Sequence, residues 1–94
     1  MTTNQTNLIH RALSSTSGYA KAGKWSAHRD GTGFVSVYHY STLMFRIYLP
    51  TESVVPISRG WASVSDKQGV GKILRGYGLN MSYKDVYEYE GATV

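Results

Sequence analysis

Three histidines are the side chains of this chain best suited to acid–base or metal chemistry. His10, His28 and His39 lie far apart in the sequence, and none has a carboxylate at the spacing of a metal-ligand pair. The sequence therefore predicts no metal site and no cofactor. If His28 and His39 met across a hairpin, they would form the acid–base pair that a small histidine-dependent nuclease needs. A surface or structural role in a sheet is the alternative for both.

A second candidate for chemistry is Gly69-Val70-Gly71-Lys72, which resembles the end of a phosphate-binding loop. The full motif has a glycine five positions before its Gly-Lys pair and a serine or threonine after the lysine. Asp66 and Ile73 stand at those two positions. We therefore reject a phosphate loop, and no residue is predicted to be catalytic.

Aromatic and basic side chains alternate along the middle of the chain and predict a binding surface. Aromatic rings stack on bases and Arg or Lys neutralises phosphates, as in proteins that bind single-stranded nucleic acid. Tyr and Arg are also the residues that dominate protein–protein hot spots, and the eight tyrosines can equally fill a sheet face without any partner. The predicted partner-binding residues are Tyr38, Tyr40, Arg46 and Tyr48 on an exposed sheet face, and Lys67, Lys72 and Arg75 on a helix.

The net charge of +4 is unevenly distributed along the 94 residues. Residues 1–84 have a balance of +7, whereas Asp85, Glu88 and Glu90 give the last ten residues a balance of −3. A basic body favours an acidic partner, either nucleic acid or an acidic protein surface. Charge that serves solubility alone is the alternative.

The composition is that of one small globular domain, with 41% hydrophobic and 17% charged residues. There is no cysteine, so disulfides and thiolate zinc sites are excluded. The first residues do not have the pattern of a secretory signal, and no apolar run approaches the length of a membrane span. We therefore expect a cytoplasmic protein whose residues 1–6 and 91–94 fray.

The principal helix is predicted over residues 65–77. Val70, Ile73, Leu74 and Tyr77 form one apolar stripe at helical spacing. Ser65 is the expected N-cap, with Gln68 completing a capping box, and Gly78 is the expected left-handed terminator. Gly69 and Gly71 inside the helix each cost roughly 1 kcal/mol relative to alanine, although they would let another element approach the backbone closely.

The remaining elements alternate between strand and turn signals. A short helix is predicted over residues 8–13 and a helical turn or loop over residues 19–23. Strands are predicted over residues 24–29, 34–40, 43–49 and 54–57, with the last at an edge because it contains Pro56, and a closing strand over residues 80–90. In residues 43–49, the period of two assigns Met44, Arg46 and Tyr48 to the exposed face. The predicted fold is α+β: an antiparallel sheet of three to five strands, with the principal helix packed on it and Trp61 buried between them.

The central residues resemble a broad group of small phage-encoded proteins. The similarity covers residues 34–78 and depends on Tyr38-His39-Tyr40-Ser41-Thr42, on Gly60-Trp61-Ala62-Ser63-Val64-Ser65-Asp66-Lys67 and on a helix that ends near Ile73-Leu74. Members of that group typically have a His-x-Ser/Thr strand and a Gly-Gly-Trp-x-Thr-x-Thr-Thr-Lys segment that leads into a short helix. In this chain Arg59 replaces the first glycine, and serines replace the first two threonines.

The resemblance implies a small accessory protein of phage or prophage origin that acts inside a bacterium. Proteins of this size in phage accessory regions often bind and block host machinery, including CRISPR nucleases. The leading hypothesis is therefore a non-catalytic protein that inhibits or modulates a host protein, such as a nucleic-acid-handling defence enzyme. The alternatives are direct nucleic-acid binding through the same basic, tyrosine-rich residues and a small nuclease that uses His28 and His39.

Overall fold

The computed structural model describes residues 7–58, 60 and 63–92. Within them, the chain forms five strands and three helices. In chain order they are α1 (Leu8–Ser14), β1 (Tyr19–Ala22), β2 (Trp25–Arg29), β3 (Phe34–His39), β4 (Thr42–Tyr48), β5 (Ser53–Pro56), α2 (Val64–Tyr77) and α3 (Tyr83–Ala92). The strands form one antiparallel sheet in which each pairs with the next in sequence. The predicted α+β fold, with a principal helix and a short N-terminal helix, is confirmed.

The hydrophobic core lies on one face of this sheet. Side chains alternate between the two faces of a strand, and every second residue of the four strands β1–β4 is buried on one face: Ala20, Ala22, Trp25, Ala27, Val35, Val37, Phe45 and Ile47. The helices add Leu8, Ile9, Ala12, Val70, Ile73, Leu74, Val86 and Tyr87 to the same core. All three helices therefore cover one face, and the opposite face of the sheet carries no described helix.

The N-cap of helix α2 lies two residues earlier than the sequence suggested. Its N-cap is Ser63, whose Oγ accepts a hydrogen bond from the Asp66 N–H, while the Asp66 carboxylate accepts one from the Ser63 N–H. The predicted cap at Ser65 is therefore wrong, because Asp66 serves as the reciprocal partner that we assigned to Gln68. The predicted end is confirmed, since Gly78 has a left-handed backbone (φ 112°) and donates to two carbonyls of the last turn.

Two segments differ in type from the prediction. Residues 83–92 form helix α3 rather than a closing strand, because a second capping box, between Ser82 and Asp85, begins a helix. That helix buries Tyr83, Val86 and Tyr87 on one side, and two of the four residues expected to fray, residues 91 and 92, belong to it. Tyr19–Ala22 is strand β1 rather than a helical turn or loop.

Strand β4 contains an irregularity that changes which residues face the core. Its pairing with β3 shifts between Val37 and Tyr38, so Tyr38 pairs with Leu43 and Met44 has no partner across the ladder. Met44 is consequently fully buried, which corrects its predicted place on the exposed face. The predicted burial of Trp61 lies outside the described residues, as do the predicted frayed residues 1–6.

Candidate functional sites on the two faces of the sheet

The seven predicted partner-binding residues do not form one surface. Tyr38, Arg46 and Tyr48 point away from the core on the helix-free face, which we call the open sheet face. Tyr40 lies in the turn after β3, and Lys67, Lys72 and Arg75 belong to α2 on the other side of the sheet. Two separate surfaces therefore replace the single one that the sequence suggested.

The open sheet face consists of three rows of side chains that run across the strands. The register places Tyr19, His28, Ser36, Arg46 and Val55 in one row, Lys21, Ser26, Tyr38 and Leu43 in a second, and Phe34, Tyr48 and Ser53 in a third. Tyr19, Tyr48 and Val55 are among the most exposed large hydrophobic side chains of the described chain. Aromatic and aliphatic surface of this kind is typical of contact surfaces.

Arg46 is held in place on this face by two neighbours. Its Nη2 donates to Asp30 Oδ2 at 2.8 Å, and its guanidinium lies 4.0 Å from the centre of the Phe34 ring. The Phe34 ring packs in turn against Tyr48, with ring centres 4.9 Å apart. The Arg46 Nε is buried and has no hydrogen-bond partner among the described residues. The charge of Arg46 is thus already compensated within the molecule.

Asp30 is the carboxylate that compensates the charge of Arg46. Hydrogen bonds from the Thr32 hydroxyl and N–H, together with the Arg46 guanidinium, lower the pKa of Asp30 to about 2. These donors stabilise the charged carboxylate. The turn at residues 30–33, between β2 and β3, therefore also supplies the counter-ion for the open sheet face.

His39 lies on the opposite face and is buried. Its ring stacks on the Trp25 indole with ring centres 4.2 Å apart and an interplanar angle of 10°. Its Nδ1 is 2.6 Å from Asp66 Oδ1, and Asp66 itself is fully buried. Because a carboxylate accepts the bond, Nδ1 carries the proton, and in the neutral ring Nε2 is then the acceptor nitrogen.

Asp66 joins the sheet to the N-terminus of α2. Its Oδ1 accepts from His39 on β3, and its Oδ2 accepts from both the N–H and the hydroxyl of Ser63. A carboxylate in the first helical turn is also favoured by the helix dipole. One side chain therefore caps the principal helix and fixes the orientation of a histidine 27 residues away in the sequence.

Gly69 explains how the Trp25 indole comes to lie against α2. A Cβ atom at Gly69 would be 2.1 Å from Cζ2 of Trp25, so only glycine leaves room for the ring. The close approach that the sequence allowed for at this glycine is confirmed. Gly71 is different, because a Cβ there would meet only the end of the flexible Arg75 side chain, at 3.1 Å.

A groove of about 410 Å³ opens beside His39, between the β1–β2 turn and the first turns of α2. Its floor contains the buried Trp25, His39 and Gly69, and its rim contains Lys24, Tyr40, Ser65, Gln68 and Lys72. Of the predicted binding residues, Tyr40 and Lys72 line this groove. Lys67 and Arg75 are exposed on α2 outside it.

The two histidines of the predicted acid–base pair lie on opposite faces of the sheet. On β3, His39 is opposite Trp25 and faces the core, whereas His28 pairs with Ser36 and faces outward. The hairpin therefore separates them rather than bringing them together. Among the described residues, no three His, Cys, Asp or Glu side chains lie together as a metal site would require.

Sequence reasoning missed Trp25, Lys24 and Asp66 as members of a site. A signal for Asp66 was present, because Ser63 and Asp66 have the spacing of a capping box. No local sequence pattern connects Asp66 with His39 or Lys24 with Lys72, since each pair is brought together only by the fold.

No protein-family model matches this chain, and comparison with curated proteins and with solved structures also finds no match. None of the described helices is long and apolar enough to cross a membrane.

Proposed function

We propose that this protein is a non-catalytic binding protein that docks on a partner protein through its open sheet face. The observation that carries the proposal is the continuity of that face: three rows of side chains, mostly aromatic, aliphatic and basic with three serines among them, cross the sheet with no described helix over them. Aromatic side chains and arginine are enriched at the centres of protein interfaces.

The charges of this face favour a protein over nucleic acid. Arg46 is already paired with Asp30, which leaves Lys21 as the other Lys or Arg in the three rows. One such cation gives little of the phosphate neutralisation on which nucleic-acid affinity depends. An apolar protein surface bordered by carboxylates is complementary to aromatic rings flanked by Lys21. We therefore assign the face to a partner of that chemistry.

The resemblance to small phage-encoded proteins supports a bacterial host protein as this partner. Within that setting we propose a nucleic-acid-handling defence enzyme, such as a CRISPR nuclease, which the protein inhibits or modulates. Inhibition by contact needs no catalytic residue in this chain, and the proposal assigns none.

The test compares two valine-to-glutamate variants. Val55 is 38% exposed on the open sheet face, and Val64 is 69% exposed at the start of α2. Val55→Glu places a carboxylate against a partner bordered by carboxylates, whereas Val64→Glu makes the same chemical change away from that face. Tagged wild-type and variant proteins are incubated with bacterial lysate, with and without nuclease treatment. A captured protein is identified by mass spectrometry and purified, and its affinity for each variant is measured.

The proposal expects a purified partner that binds wild type and Val64→Glu alike and binds Val55→Glu at least about tenfold more weakly, as for a contact residue worth more than 1 kcal/mol. Equal affinities for the two variants would contradict the assignment of the face. Self-association that Val55→Glu abolishes would replace the host protein with a second copy of the chain.

Direct nucleic-acid binding is the other outcome that the same experiment detects. It predicts that the captured material is lost on nuclease treatment and that affinity for a labelled single-stranded oligonucleotide falls steeply with salt. This result would assign binding to the basic residues of α2, namely Lys67, Lys72 and Arg75.

A further inference from the structure

The groove beside His39 has cationic walls, and none of its described lining residues is a carboxylate. Lys24 in the β1–β2 turn and Lys72 on α2 both line it. Among residues 7–58, 60 and 63–92, neither ammonium group has an ion-pair partner, and Lys24 lies 5.4 Å from the centre of the Tyr40 ring. The nearby carboxylate, Asp66, is fully buried and bonded to His39 and Ser63. Two uncompensated ammonium groups beside a concave surface favour an anionic ligand.

His39 adds a fixed hydrogen-bonding group to the groove floor. Its Nδ1 is turned toward the buried Asp66, so the side of the ring that carries Nε2 is directed away from that carboxylate. Trp25 stacks on the ring and holds it in one orientation. In its protonated form, an imidazole held in this way can donate from Nε2 to an anionic oxygen.

The remaining rim residues match an anion that has several oxygens. The Ser65 hydroxyl and the Gln68 amide are donors in the first two turns of α2, near the positive end of the helix dipole. The Tyr40 ring, 51% exposed, offers a flat apolar surface at the side of the groove. A ligand with a compact anionic group and an attached ring would use both parts.

We propose that this groove binds a phosphomonoester of mononucleotide size, with the phosphate between Lys24, Lys72 and His39 and the attached ring against Tyr40. A phosphate has three terminal oxygens that accept from ammonium, hydroxyl and imidazole donors together. The volume of about 410 Å³ lies within the range of about 300–1,000 Å³ of small-molecule pockets. The floor of this site lies on the core side of the sheet, whereas Lys24 and Tyr40 at its rim also border a second groove that contains Tyr19, Lys21 and Ser26 of the open sheet face.

Isothermal titration calorimetry at constant ionic strength tests the proposal with three probes: adenosine 5′-monophosphate, inorganic phosphate and adenosine. The nucleotide is expected to bind in a saturable manner, and adenosine is expected not to bind. Phosphate is expected to bind more weakly than the nucleotide because it lacks the ring. Equal affinity for phosphate and the nucleotide would identify free phosphate as the occupant and would still support the phosphate site.

A matched pair of double variants separates the groove from general charge. Lys24→Met with Lys72→Met removes both groove ammonium groups and keeps most of each side-chain stem. Lys67→Met with Lys84→Met removes the same net charge outside the groove, and thermal melting checks that both proteins fold. The groove variant is expected to bind the nucleotide at least about tenfold more weakly, because both ammonium donors to the phosphate are lost. The control variant is expected to bind like the wild type.

Side-chain ¹⁵N resonances of the histidines provide a direct reading of the site. Titration with the nucleotide is expected to shift the resonances of His39 and leave those of His28, on the opposite face, unchanged. Failure of both the nucleotide and phosphate to bind would overturn the proposal. Three other results would also overturn it: equal weakening in the two double variants, equal affinity for adenosine and the nucleotide, or His39 resonances that do not shift.

Discussion

Two carboxylates show how the two faces of this sheet differ. On the core side, Asp66 accepts from His39 at 2.6 Å and is fully buried. On the open sheet face, Asp30 accepts from Arg46 at 2.8 Å, with about a quarter to a third of each side chain exposed, 26% and 31% respectively. The two pairs have similar distances but different surroundings.

The difference in burial decides what each pair contributes. The exposed pair gains little because water already solvates both ions, and such pairs contribute about 0.2–1 kcal/mol. The buried carboxylate of Asp66 is not solvated by water in the folded protein, so it depends on its protein donors. Among the described residues these are His39 Nδ1 and the N–H and hydroxyl of Ser63. Consequently the pair on the core side contributes more to stability than the pair on the open sheet face.

The largest expected effect comes from Asp66→Ala. The change removes the acceptor for His39 Nδ1 and both capping bonds from Ser63, and breaking a buried pair by removing one partner costs about 3–5 kcal/mol. Asp30→Ala is expected to cost less than about 1 kcal/mol. Urea unfolding of the two variants measures the difference. Losses of equal size would show that burial does not separate the two pairs.

Gly69→Ala is expected to have the next largest effect. Its methyl group would overlap the Trp25 ring, so the indole must leave its stack on His39, at a cost of about 1–3 kcal/mol for overpacking. Gly71→Ala is the matched control on the same helix, because it displaces only the end of Arg75.

The control is expected to gain up to about 1 kcal/mol from the better helix propensity of alanine. Chemical denaturation measures both changes, and the indole N–H resonance of Trp25 reports whether the ring has moved. Stabilisation by both substitutions would contradict the close contact at Gly69.

Tyr87→Phe probes a buried hydroxyl on the core side. The Tyr87 hydroxyl donates to the Met44 carbonyl at 2.6 Å, but that carbonyl also accepts from the Ile57 and Ser58 N–H groups. The loss should therefore be about 1 kcal/mol, since the carbonyl keeps other donors. Tyr48→Phe on the open sheet face is expected to change stability by less than that. Melting temperatures of the two variants test this, and a larger loss for Tyr48→Phe would reverse the proposed contrast.

Much of the fold follows from local patterns. The apolar stripe of Val70, Ile73 and Leu74 predicted the principal helix, and residues 34–40 predicted a central strand, because both patterns depend only on neighbouring residues. The last helix was mistaken for a strand because Tyr83 and Tyr87 are four residues apart, which satisfies a period of two as well as the spacing of a helix face. The Ser82–Asp85 capping box was the signal that separates the two.

The candidate site could not be predicted from local patterns, because it depends on contacts between residues that are distant in the sequence. One irregular pairing in β4 moves Met44 from the predicted open face to the core, because a shift of a single residue exchanges the faces of a strand. The bond between His39 and Asp66 requires the register of β2 with β3 and the placement of α2 on the sheet. Composition correctly indicated aromatic and basic surface, but only the topology assigns Tyr38 and Lys72 to different faces.

The smallest expected effect concerns the acid titration of Asp30, and it isolates the open-face pair. The pKa of this carboxyl is lowered from 3.8 to about 2 by Thr32 and Arg46, and in the unfolded chain it returns to about 3.9. A lowered folded-state pKa stabilises the protein above pH 4, and this contribution is lost as the pH falls from about 4 to about 2.

Asp30→Asn should therefore be slightly less stable than wild type at pH 6 and equal to it near pH 2. Because the side chain is exposed, solvent screening keeps the difference small, and denaturant titrations of both proteins at several pH values measure it. A difference that stayed constant over this range would show that Asp30 is not held in its charged form by Thr32 and Arg46.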